Sequence, residues 1–121
     1  MFGFDEGRSQ RDEVYNGEPH ESKWSHELIG GAAAFEGMKA FEDHQRSEGQ
    51  AVNHAFAKEL LAGFAGAEVD KLAETKGLDF IDREEAKRHA RKNAEQLYDQ
   101  HYGDQDQYDP NSQDRHEYFN Y

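Results

Sequence analysis

Seven histidines, at positions 20, 26, 44, 54, 89, 101 and 116, stand among 26 acidic residues in a chain without cysteine. Any protein-built metal site must therefore use imidazole and carboxylate, and disulfides, thiolate ligands and cysteine nucleophiles are excluded. Glu85 and His89 have useful spacing. Four residues apart on a helix, they share a face and can offer two ligands to a divalent ion. Two ligands are half a site, however. Neither the His-Glu-x-x-His pattern nor the paired Glu-x-x-His pattern of di-iron bundles occurs.

Other reactive residue types lack a setting. Ser22, Ser25, Ser47 and Ser112 sit in no nucleophile elbow. The stretch "IGGAAAFEG" is rich in glycine, but no strand precedes it and no Lys-Ser/Thr follows, so it is not a phosphate loop. Arg83, Lys87, Arg88, Arg91 and Lys92 alternate with Glu84, Glu85 and Glu95, which reads as a solvated, ion-paired helix face. We therefore assign no catalytic residue and no cofactor. Glu85 and His89 are the only candidate metal ligands.

The elements that must position these residues are helices. No segment alternates with period two, so no strand is expected and the fold class is all-α. A first helix is expected from Glu21 or Ser22 to about Arg46. The turn "SEGQ" follows, with Gly49 suited to a left-handed C-terminal position. A second helix is expected from an Asn53 N-cap to Lys76, stopped by Gly77, with Leu78 making the contact that accompanies such a cap. Asp82 and Glu85 have capping-box spacing and open a third helix, which ends near Tyr102. Its apolar stripe is thin: Ala86, Ala90, Ala94 and Leu97. The domain organisation is then a flexible N-terminal arm (1–20), a three-helix domain (21–103) and an acidic, aromatic tail (104–121), either disordered or docked.

The first helix contains Gly30, Gly31 and Gly37, each costing about 1 kcal/mol relative to alanine. A repeat offers a reason. At an offset of 32 residues, "HELIGGAAAFEGMKAFE" (26–42) lies over "KELLAGFAGAEVDKLAE" (58–74) with seven identities in seventeen positions. Trp24, Leu28, Gly31 and Phe35 step as a heptad seam and continue to Met38; Phe56, Leu60, Gly63 and Ala67 step likewise. We expect the two seams to face each other in an antiparallel hairpin, with Gly31 and Gly63 allowing close approach. Gly30, Ala33, Ala34 and Gly37 fall off the seam. They are expected to form a second small-residue face, covered by the third helix or by another subunit.

Composition limits partners. Charged residues make up 33% and hydrophobic ones 35%, and the net charge is −12. That balance argues against nucleic acid and anionic membranes. Most of the excess is terminal: net −4 over residues 1–21 and −5 over 99–121. The N-terminus lacks the pattern of a signal peptide, and the longest apolar runs fall far short of the ~20 residues a membrane span needs. A soluble, cytoplasmic protein is expected. Three helices this poor in apolar residues gain from association, so a homodimer is expected as well.

The residues "WSHELIGGAAAFEGMKAFEDHQ", "HAFAKELLAGFAGAEVDKLAETKGLDFIDREEAKRHA" and the opening "MFGF" resemble the fungal CipC-like antibiotic response proteins, named for induction by concanamycin. The resemblance spans roughly residues 1–102. It implies a fungal, cytosolic, stress-responsive protein, and it brings no activity or catalytic residue. The expected function is a small stress-responsive helical protein acting through protein–protein interaction or self-association. The alternative is a helical protein that binds a metal or small ligand, or an enzyme.

Overall fold

The computed structural model describes residues 2–16, 25–76, 82–111 and 114–119. The described residues form four helices, α1 (Phe4–Asn16), α2 (His26–Glu48), α3 (His54–Thr75) and α4 (Arg83–Tyr102), and one 3-10 turn at Glu117–Phe119. Among the described residues there is no strand. A single antiparallel bridge joins Val52 to Tyr108.

Local sequence sets the boundaries. Ser25 caps α2 by accepting from Leu28 N at 3.1 Å, so the helix starts a turn later than its periodicity indicated. Gly49, at φ 72°, closes it in the left-handed region and donates to Gln45 O, a conformation that suits glycine. Asn53 caps α3 through Phe56 N at 2.8 Å. Asp82 caps α4 through Glu84 N and Glu85 N. The expected stop at Gly77 and Leu78 lies outside the described residues, as does Trp24.

The helices run up and down. His26 meets Asp82 at one end of the α2–α4 pair and Glu42 meets Tyr102 at the other, so those two helices are parallel. Lys58 pairs with Asp99 and Asp70 with Lys87, so α3 is antiparallel to α4. The α1 helix packs antiparallel to α2, with Gly7 under Phe35 and Gln10 against Gly31. This corrects the expectation of a flexible arm over 1–20: residues 4–16 are helical and docked. Val14 is fully buried, and Tyr15 donates to Glu68 at 2.6 Å. Glu36 and Glu68, matched positions in the sequence repeat, thus meet α1 together, Glu36 through Arg11 and Glu68 through Tyr15.

The α2 helix is the axis of the bundle, and its glycines face three different neighbours. A Cβ built at Gly30 would lie 2.5 Å from His89 Cβ on α4, and one at Gly37 would lie 2.6 Å from Ala65 Cα on α3. At Gly31 it would collide with the Gln10 amide on α1. Ala33 and Ala34 are fully buried. The small-residue face at Gly30, Ala33, Ala34 and Gly37 is therefore covered by the chain itself, which removes it as the surface for a second subunit. The alanine stripe of α4 is also fully buried, with Leu97.

The expected α2–α3 seam is corrected too. Gly31 faces α1, not α3. On α3, Gly63 and Ala67 are exposed and Leu60 is half-buried, while Phe56 is 48% exposed. The buried stripe of α3 is Ala57, Leu61, Ala65, Val69 and Leu72, one residue further along. One residue is about 100° of helix rotation. The repeat alignment carried the α2 phase onto α3, whereas burial of the larger side chains Leu61, Val69 and Leu72 sets the true phase.

Candidate functional site

An assembly of chemically capable side chains lies at the C-terminal ends of α2 and α4. Glu42 has no exposed surface. Its carboxylate accepts from the Tyr108 hydroxyl at 2.6 Å and from the Tyr102 hydroxyl. Arg46, one turn along α2, donates to the Tyr102 hydroxyl at 3.0 Å and to Pro110 O at 2.9 Å, and its Nε lies 3.7 Å from Glu42. Beside this group, the Tyr98 hydroxyl meets His54 Nδ1 at 2.6 Å, and His54 Nε2 meets Gln105 O at 2.6 Å. A carbonyl can only accept, so Nε2 carries the hydrogen; in the neutral ring Nδ1 accepts from Tyr98.

Burial, and then the charge of Glu42, raises the Tyr98, Tyr102 and Tyr108 hydroxyls above the usual phenol range. At neutral pH these phenols are donors, not bases or nucleophiles. Tyr102 and Tyr108 together satisfy the buried Glu42 carboxylate, and a paired, hydrogen-bonded charge is the condition under which burial is tolerated. Glu42 was not singled out in the sequence, though a signal was present. The α2 seam of Leu28, Gly31, Phe35 and Met38, continued by steps of four and three, lands on Glu42 and Gln45, both buried.

The cluster also anchors the segment after α4. Tyr108 is buried and exchanges two backbone hydrogen bonds with Val52 at 2.9 Å. Asn111 donates to Gly49 O at 3.2 Å, and Arg115 pairs with Asp43. Further on, His116 stacks on Phe4 at 4.0 Å, buried Phe119 packs on Phe35 at 4.8 Å, and Tyr118 donates to Asp5. Of the two expectations for the tail, disordered or docked, the described part is docked. Burial, reinforced by nearby His101, holds His116 below the usual imidazole range.

The proposed metal pair is a surface contact. His89 Nε2 is 3.3 Å from Glu85 Oε1, which Arg88 also engages at 2.5 Å. Among the described residues no three His, Cys, Asp or Glu side chains converge in a way that could hold an ion. His89 also borders an open polar cleft of about 350 Å³, lined by Phe2, Glu6, Gln10, Glu27, Lys92 and Gln96 among others.

The outward face of α3 differs from all of these. An open groove of about 360 Å³ is lined by Glu59, Leu60, Gly63, Phe64 and Ala67. A Cβ added at Gly63 would meet no atom of the described residues within 4 Å. Phe56, the one large apolar side chain exposed among the described residues, lies one turn before this groove. Four residues expected to form an internal seam thus form an external face instead.

Among the described residues, no helix is long and apolar enough to cross a membrane. No curated protein matches the chain, and no solved structure does. A family model described as Virulence factor CipC-like matches residues 10–101, from the middle of α1 through α4. That span covers most of the chain, which therefore belongs to the Virulence factor CipC-like family.

Proposed function

We propose that this protein is a cytoplasmic, stress-responsive interaction protein that acts by docking a partner on the outer face of α3. The observation that carries the reading is the face itself: Phe56, Leu60, Gly63, Phe64 and Ala67 form an apolar surface with an open groove on a chain whose surface is otherwise strongly charged. The cluster with the most chemical potential supports the same reading by contrast. Its carboxylate is closed off and fully engaged by tyrosine hydroxyls, as a structural anchor would be.

The test is site-specific photocrosslinking in extracts of the source cells. A benzophenone side chain in place of Phe56 is expected to capture protein, whereas one in place of exposed Glu95 on α4 is not. Equal capture at both positions, or none at Phe56, contradicts the proposal. The polar cleft beside His89 is the observation that favours the second reading, a small-ligand protein. Under that reading His89→Ala abolishes ligand retention in native mass spectra and Phe56→Ala does not.

A further inference from the structure

We infer that the partner on this face is a second copy of the same chain, with α3 docked antiparallel on α3 about a two-fold axis near Gly63. The inference rests on the interaction reading above and names its occupant.

Charge is the first argument. Most charged side chains of α3 are engaged within the chain: Lys58 with Asp99 at 2.7 Å, Asp70 with Lys87 at 2.9 Å, Glu68 with Tyr15, and Glu74 with Arg83 at 4.0 Å. Glu59 and Lys71 have no such partner among the described residues, and both are exposed. They lie on the stripe that holds the groove, Glu59 one turn before Gly63 and Lys71 about two turns after it. When two copies cross antiparallel at Gly63, Lys71 of each falls within about one turn of Glu59 of the other. A parallel arrangement sets Glu59 on Glu59 and Lys71 on Lys71. The exposed residues from Phe56 to Lys71 carry one acid and one base, so this stripe is neutral on a chain of net −12. Two such chains repel least where they meet along it.

Shape is the second argument. The open space over Gly63 admits a neighbouring helix backbone, and a two-fold contact places the same opening on both sides. Phe56 of each copy then covers Ala67 and the Lys71 methylenes of the other. One helix pair is a small interface, so association is reversible, with a dissociation constant on the order of 1–100 μM.

Sedimentation velocity of the full chain over a wide concentration range tests this. Wild type is expected to pass from monomer to dimer. Glu59→Lys and Lys71→Glu should each weaken the dimer about tenfold, and the double exchange should restore it. Gly63→Arg should leave a monomer with unchanged circular dichroism, because no atom of the described residues occupies that space. A monomer at every concentration overturns the inference, as does a dimer indifferent to Gly63→Arg or a double exchange that fails to restore association. If the chain is monomeric but the Phe56 crosslinker still captures a different protein, the second copy is wrong and the interaction reading stands. If it is monomeric and captures nothing, both fall.

Discussion

Removing the Tyr108 hydroxyl leaves a fully buried carboxylate with one donor fewer. A hydrogen bond to a charged group contributes about 1.5–3 kcal/mol, so Tyr108→Phe should lower stability by about that amount in urea unfolding. Tyr118→Phe, whose hydroxyl meets exposed Asp5, should leave stability nearly unchanged, because both groups face solvent. Glycines give a second comparison. Gly37→Ala brings a methyl against the Ala65 backbone, and overpacking of this kind costs about 1–3 kcal/mol. Gly63→Ala meets open space and should stabilise the monomer by about 0.5–1 kcal/mol. Thermal melts of the two variants at low concentration should therefore move in opposite directions.

The elements were unevenly legible in the sequence. The helices α3 and α4 announce themselves through the caps Asn53 and Asp82, and α2 through its long apolar period, although its Ser25 cap is not read from the sequence, which sets the start a turn too early. The α1 helix does not, because its packing depends on long-range partners: Gly7 under Phe35, and Tyr15 on Glu68. The phase of α3 was misread by one residue because the repeat outweighed the larger side chains at Leu61, Val69 and Leu72. That one residue turns a supposed internal seam into the outer face on which the proposed function rests. At the segment after α4, hydrogen bonds and stacking do the anchoring, and these leave no periodicity to detect. Acid should loosen this segment. The His116 pKa is depressed by burial, so the unfolded state binds its proton first and stability falls as pH drops through the ordinary imidazole range. Asp43 adds to this: partial burial pushes its carboxyl up, but Lys39 and Arg115 outweigh that and hold it low, so its contribution is lost on further acidification. Amide exchange, corrected for intrinsic rates, should quicken over 104–111 and 114–119 between about pH 7 and pH 5 before α2 is affected.

At the scale of the whole molecule, family membership and the all-α fold follow from the sequence and the structure, while the surface carries the functional reading. With net −12 on each copy, general repulsion opposes association, and moderate salt should strengthen the dimer by screening it. Sedimentation at about 0.01 M and 0.15 M salt measures that effect. The central claim is that the α3 face is occupied when the protein works. The chain has no cysteine, so Gly63→Cys supplies a single thiol inside the groove, and Glu95→Cys supplies a control on α4. Maleimide labelling rates, measured in dilute pure protein and again in source-cell extract, test the claim most directly. The account predicts that labelling at position 63 slows several-fold in extract while labelling at position 95 does not. Equal rates at position 63 in both conditions would contradict it.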